Sequence, residues 1–166
     1  MRILGISGSL RAVSSNRALL EAARTEAPEG IQVDIYAGLG DLPQFNPDLD
    51  DDDVLPHVQK WREELRNSDA VVFSTPEYAH GVPGALKNAL DWVVGSGELI
   101  DKPVAIFNAS PRGTYAQASL TETLTVMSAK LVPEACITLS DKNLQAEILR
   151  SGLDSLARHI AQRSSP

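Results

Sequence analysis

The sequence predicts an α/β domain built on a doubly wound, five-stranded parallel sheet with helices on both faces. Three observations carry this. Short apolar runs of strand length alternate with helix-period segments along the whole chain. The runs are nearly continuous rather than alternating, as in strands covered on both faces. The first of them leads through a Gly/Ser loop directly into a helix, the start of a β-loop-α unit.

Ile3, Leu4 and Ile6 make the first strand, which gives way to Ser7, Gly8 and Ser9. A helix follows over about residues 16–26, with Leu19, Leu20, Ala22 and Ala23 as its apolar face and Ser15 or Asn16 as its cap. Pro28, Glu29 and Gly30 break the chain before a second strand at 33–36. Residues 38–53, with two Gly, two Pro and a run of acids, are expected to form a long surface connection without regular structure. Val54, Val58, Trp61 and Leu65 then recur at helical spacing up to about Asn67. The third strand, 70–74, stops at Thr75 and Pro76. From Pro83 a third helix carries Leu86, Leu90 and Val93 on one face and ends near Gly95 and Gly97. The fourth strand, 104–107, precedes a helix marked by Leu120, Leu124 and Met127. A fifth strand at 135–139 and a helix bearing Leu149, Leu153, Leu156 and Ile160 complete the chain before a polar Ser/Pro tail. Five strands favour the flavodoxin-like order 2-1-3-4-5, in which a ligand sits outside the carboxyl ends of strands one, three and four. That selects three loops: 7–15, 76–82 and 110–115.

Composition narrows the classes of function. With 166 residues, 43% apolar and 22% charged, the chain is expected to form one domain over 1–166 whose core needs no staples. Cys136 is the only cysteine, which excludes an internal disulfide and reads as a buried, inert thiol. The chain opens on a strand without a signal-peptide pattern, and no 18-residue apolar run occurs, so a cytoplasmic soluble protein without a membrane partner is expected. A net charge of −7 disfavours nucleic acid and anionic membrane. Asp48 and Asp50 to Asp53 lack the glycine and terminal glutamate of a calcium loop, so no metal is assigned there.

The first loop has the chemistry of a phosphate site. Backbone N–H groups at a positive helix end stand beside the hydroxyls of Ser7, Ser9, Ser14 and Ser15 and the guanidinium of Arg11. It carries neither G-x-G-x-x-G nor G-K-[ST], so a single terminal phosphate suits it better than a pyrophosphate or a magnesium triphosphate. A tight strand-to-helix connection is the plain alternative. In the second loop, Pro76, Tyr78, His80 and Gly81 set a stiff exit, an aromatic, an imidazole and bare backbone together, a surface that can lie against a planar ring. Taken singly, Tyr78 and His80 read equally as half-exposed loop residues, Glu77 as a solvated acid, and Trp92 as core or subunit interface.

GSLRAVSSN and PEYAHGVPGALKNALDW resemble the phosphate loop and the long P-E-Y-N-x-x-x-P-G-x-L-K-N-A-x-D-W run of the NADPH-dependent FMN reductases, flavodoxin-like reductases of quinones, chromate and azo compounds. The resemblance covers nearly the whole chain. It implies that Ser9, Arg11, Ser14 and Asn16, with Ser15 nearby, hold the FMN phosphate. It further implies that Pro76, Glu77, Tyr78, Ala79, His80 and Gly81 line the isoalloxazine, mostly through backbone, and that Ser110, Pro111, Arg112 and Gly113 meet its pyrimidine edge. Ala79 stands where the family commonly has Asn, and ASPRGTY departs from the family's glycine-rich third loop. The implied activity is ping-pong transfer of hydride from NADPH (or NADH) through FMN to a small-molecule electron acceptor: quinone, free flavin, chromate or azo compound. The chemistry belongs to the flavin, no side chain is assigned as catalytic, and no paired carboxylates or Ser/His/Asp set occurs at the three loops. A homodimer or homotetramer is implied, with Leu86, Leu90 and Trp92 as its face. The rival from another class is a flavodoxin-type FMN electron carrier without a substrate of its own. A phosphate-accepting regulatory domain would need acids where Ser7 to Ser9 stand.

Overall fold

A computed structural model describes residues 1–51, 54–139 and 145–163; Asp52 and Asp53 of the acid run and the tail from residue 164 lie outside the described residues. Four parallel strands, β1 (Arg2–Ser7), β2 (Gln32–Tyr36), β3 (Ala70–Ser74) and β4 (Pro103–Asn108), stand in the order β2-β1-β3-β4. Successive residues of a strand point to opposite faces, and this sorts the core into two halves. Leu4, Ile6, Val71, Phe73, Val104 and Ile106 face one layer, formed by α2 (Pro56–Arg66), α3 (Gly84–Asp91) and α4 (Thr114–Val126). Ile3, Ala70, Val72, Ala105 and Phe107 face the other, formed by α1 (Ser15–Thr25) and α5 (Ala146–Arg163). The doubly wound parallel sheet expected from the apolar runs is the observed fold.

The far edge differs from expectation. In place of one strand at 135–139, two short strands, β5 (Lys130–Leu131) and β6 (Ile137–Thr138), pair with opposite ends of β4. A 3-10 turn, Pro133–Ala135, separates them and buries Ala135. Pro133 cannot donate to a ladder, so the pairing breaks there. Cys136 is half-buried: Ile106 N–H donates to its Sγ at 3.3 Å, and burial pushes the thiol's pKa up, which keeps it protonated and inert.

The connection after β2 runs mostly over the surface, as its composition predicts, with two short 3-10 turns, Leu39–Asp41 and Pro47–Leu49, but it is anchored to the core. Leu39 and Leu42 are buried, and the loop is strapped to α3: Asn88 Nδ2 and Trp92 Nε1 both donate to the Pro43 carbonyl, at 2.9 and 2.8 Å. Phe45 N–H donates to Asn88 Oδ1 at 2.7 Å, and the Phe45 ring sits edge-on to Trp92. Further on, Arg62 bridges the Trp92 carbonyl and Asp50. Gly and Pro density marks irregular backbone, but says nothing of what side chains anchor it. The same packing corrects the expected subunit face, because Leu86, Leu90 and Trp92 are at most 1% exposed and belong to this chain's own core. Among the described residues, no helix is long and apolar enough to cross a membrane.

At the end of the sheet away from the three loops, Arg2 joins β1, β2 and α2 by donating to Asp34 at 2.7 Å and to Glu64 at 2.5 Å. The Arg2 hydrogen bond, then that of Gln32, holds the Asp34 carboxyl below its ordinary pKa. A carboxylate depressed in the folded state contributes stability above its unfolded value, and that contribution is lost as pH falls through the folded one. Asp34→Asn is therefore expected to be less stable than the parent in urea melts at neutral pH. The gap should close below about pH 4, the ordinary carboxylate range; a gap that is independent of pH would show that Asp34 acts through shape alone.

Candidate functional site

The carboxyl ends of β1, β3 and β4 open into one cavity of about 380 Å³, within the usual size of a small-molecule site. From the first loop it takes Ser9, Arg11, Ser14, Ser15 and Asn16; from the second, Pro76, Glu77 and Tyr78; from the third, Ser110, Arg112 and Gly113. Ala79, His80, Gly81 and Pro111 do not line it. Thr75, Asn108 and Ala109 do, and the sequence reading passed over them. Their signal was positional: each ends or follows an apolar run at the sheet edge that the topology had already selected.

The first loop crosses the end of β3. Gly8 N–H donates to the Ser74 carbonyl at 2.8 Å, and a Cβ on Gly8 would stand 2.4 Å from Thr75 Oγ1 and 2.9 Å from Thr75 Cβ. Only glycine fits. Ser14, not Ser15 or Asn16, caps α1, accepting from Arg17 N–H at 3.4 Å. The cap falls one residue earlier than expected because Ser15 and Asn16 already have helical backbone. Asn16 is almost fully buried, and its Oδ1 accepts from Ser74 Oγ at 3.1 Å. That bond fixes the amide and leaves its NH2 group to donate at the cavity wall. The first turn of α1 holds no acid, and Arg11 and Arg112 form no ion pair among the described residues. Three hydroxyls, an oriented amide, a helix N-terminus and an uncompensated guanidinium make this end of the cavity an anion cradle.

The second loop turns back on itself. Tyr78 and Gly81 exchange backbone hydrogen bonds at 3.1 and 2.9 Å, with φ of 49° at Ala79 and 60° at His80. Positive φ at both central positions is the pattern of a type I′ turn, whose natural occupants are Asn and Gly. Two links hold this costly backbone in place. Glu77 accepts from Ala116 N–H at 2.9 Å, so it is no free acid but the cap that α4 lacks from its own loop. The His80 ring stacks on Tyr115, centroids 4.2 Å apart and planes within 18°. Both links end in the first turn of α4 and tie the second loop to the third. The third loop is folded around Asn108, whose Oδ1 accepts from Ser110 N–H at 3.0 Å while its amide donates to Gln117. Among the described residues no cluster of His, Cys, Asp or Glu could hold a metal ion.

A family model described as NADPH-dependent FMN reductase matches residues 1–143. An NAD(P)H-dependent FMN reductase of Pseudomonas aeruginosa is 34% identical over 168 residues, covering 98% of this chain and 90% of that protein. A quinone reductase of Pseudomonas putida is 39% identical over 109 residues, 64% of this chain and 58% of that one. Among solved structures, FerB of Paracoccus denitrificans, described as a flavoenzyme NAD(P)H:(acceptor) oxidoreductase, superposes with a TM-score of 0.81 at 28% identity over 97% of both chains.

An alanine in the left-handed region costs about 1–2 kcal/mol, partly offset in a glycine replacement by the entropy of the freer unfolded chain. Ala79→Gly is expected to raise stability by about 0.5–1 kcal/mol, read as a higher urea midpoint at unchanged slope. A lower midpoint would show that Ala79 is not held at positive φ.

Proposed function

The chain belongs to the NADPH-dependent FMN reductase family, and from that premise we propose that it carries FMN in the cavity at the sheet's carboxyl edge and reduces a small-molecule acceptor at the expense of NADPH or NADH. The observation that carries the reading is the anion cradle of Ser9, Arg11, Ser14, Ser15 and Asn16 at one end of a cavity whose other end is walled by backbone and Tyr78. The donor set fits a phosphate monoester: hydroxyls, an amide pre-aimed by Ser74 and one planar cation, with no carboxylate in the first turn of α1.

Bound FMN supplies the redox chemistry, a hydride in from the nicotinamide and two electrons out to a quinone, free flavin, chromate or azo compound, in a ping-pong cycle. The protein's part is position and field. Arg11 and the α1 terminus neutralise the phosphate. Pro76, Glu77 and Tyr78 form the ring wall, and the turn at Ala79, His80 and Gly81 holds Tyr78 in place from outside the cavity, giving those three residues a positioning role. Ser110, Arg112 and Gly113 border the opposite edge, with Pro111 outside the cavity, and there the Arg112 guanidinium stabilises negative charge gained on reduction. One domain over 1–166 contains every residue named here. A cytoplasmic homodimer or homotetramer suits this reading, its interface built from side chains other than Leu86, Leu90 and Trp92.

Anaerobic titration of the FMN-loaded protein with NADPH is expected to bleach the flavin band at one equivalent. Flavin that ignores NADPH yet accepts single electrons from a chemical reductant would reassign the chain as an electron carrier. Arg11→Ala removes a charge-assisted hydrogen bond and is expected to weaken FMN binding about 10- to 100-fold. Riboflavin, which lacks the phosphate, should bind the variant as it binds the parent; an equal loss for both would place Arg11 away from the phosphate.

A further inference from the structure

The second and third loops close on each other along a seam of three contacts. Gly113 lies so near the second loop that a Cβ on it would stand 3.7 Å from Glu77 Cβ. Beside it, the Glu77 carboxylate accepts from Ala116 N–H at 2.9 Å. The third contact is the His80 ring on Tyr115, with centroids 4.2 Å apart. The contacts differ in kind. The carboxylate bond is half-buried and charge-assisted, whereas the stack joins two exposed side chains, Tyr115 being 58% exposed. Tyr115 does not line the main cavity and fills no part of the core. What it grips is the tip of the 78–81 turn, at a residue held with φ of 60°.

We propose that Tyr115 is the latch of the flavin-ring site: through its stack on His80 it holds the second loop against the third, and so keeps FMN in place while the nicotinamide and the acceptor exchange. The proposal rests on the reductase reading above and adds a positioning residue to it. On that reading the rigid ring lies between Tyr78 and residues 110–113, so the loops that must part to release it are the two that the seam joins. A turn with two non-glycine residues at positive φ tends toward relaxed backbone unless something outside restrains it. Tyr78 moves with the turn, because both of the turn's hydrogen bonds run between Tyr78 and Gly81. Opening therefore starts at the tip, and the stack is what resists it there. The phosphate end takes no part, since its amide is aimed by β3 and its cap belongs to α1. A ping-pong cycle needs this restraint on the ring, because the cofactor has to stay through the departure of one substrate and the arrival of the next.

The test times the escape of the cofactor. Protein loaded with radiolabelled FMN is mixed with an excess of unlabelled FMN, and the label left on the protein is counted after rapid gel filtration. The chase is repeated with riboflavin, which lacks the phosphate. Tyr115→Ala, which loses one aromatic stack, is expected to release both flavins about three- to tenfold faster than the parent. Tyr115→Phe keeps the ring and releases them at the parent's rate. His80→Ala matches Tyr115→Ala, and the double variant is no faster than either, as for two halves of one contact. An unchanged rate in Tyr115→Ala overturns the proposal, and so do additive effects in the double variant. A Tyr115→Phe that behaves like alanine would transfer the effect to the phenol hydroxyl and sink the stack as its cause. Faster release of FMN but not of riboflavin would move the effect to the phosphate cradle, against the latch. The chase uses no reductant, so it stands apart from bleaching by NADPH: flavin that is held but not bleached fails the reductase reading, while the release rates alone decide the latch.

Discussion

The first loop passes the end of β3 at a distance that only a glycine backbone permits, and the site depends on that crossing. With Gly8 N–H on the Ser74 carbonyl and no room for a Cβ against Thr75, the loop is pinned to the neighbouring strand. One residue of β3 therefore serves the site twice: the Ser74 carbonyl holds the loop and its hydroxyl aims Asn16. A buried amide with a satisfied oxygen has one remaining use for its NH2, and the cavity is where that use lies. The cradle is thus a property of the sheet rather than of a mobile loop, which makes its donors pre-organised for an anion.

The ring end is built on the opposite principle. Its turn holds two non-glycine residues at positive φ, and such backbone costs of order 1–3 kcal/mol per residue unless its surroundings dictate it. They do so from a single place, the first turn of α4, through the Glu77 carboxylate on Ala116 N–H and the His80 ring on Tyr115. The carboxylate has a double effect, because it satisfies an orphan donor and meets the positive end of the helix dipole. The stack adds a contact of about 0.5–1.5 kcal/mol. Together these are comparable with the strain, so the turn is held with little to spare, as suits a wall beside which ligands must come and go.

How much of this the sequence discloses follows from what kind of information each feature carries. Strands and helices were legible because burial on both faces and the 3.6 period are written in residue type, and the position of the site followed from topology. Eleven of the fifteen expected site residues line the cavity, since the loops that hold them leave the sheet at its selected edge. Direction within a loop was not legible. Ala79 and His80 sit at the tip of a turn whose hydrogen bonds run between Tyr78 and Gly81, and no composition rule states which way a tip points. Glu77 as a cap, Trp92 as an anchor for Pro43 and the split of the last strand around Pro133 all depend on partners 39 or 49 residues away or on a neighbouring strand, so periodicity could not find them.

Charge closes the account of how an acidic protein handles anionic cofactors. At a net charge of −7 the chain repels phosphates at long range, but in physiological salt that repulsion fades within about 8 Å. Inside that distance the local field has the other sign: Arg11 and Arg112 both line the cavity, and α1, α3 and α4 all direct their N-termini at the same sheet edge. Of these three termini, α4 alone is neutralised by a carboxylate, that of Glu77. The terminus of α1 faces the phosphate cradle and that of α3 faces an apolar hollow. The fold therefore gives one positive helix end a carboxylate from a neighbouring loop and leaves the other two without an acid in their first turns. Of those two, the α3 terminus is the one bordered by apolar residues, Leu10, Tyr78, Pro83 and Ala85, where a helix dipole is screened least.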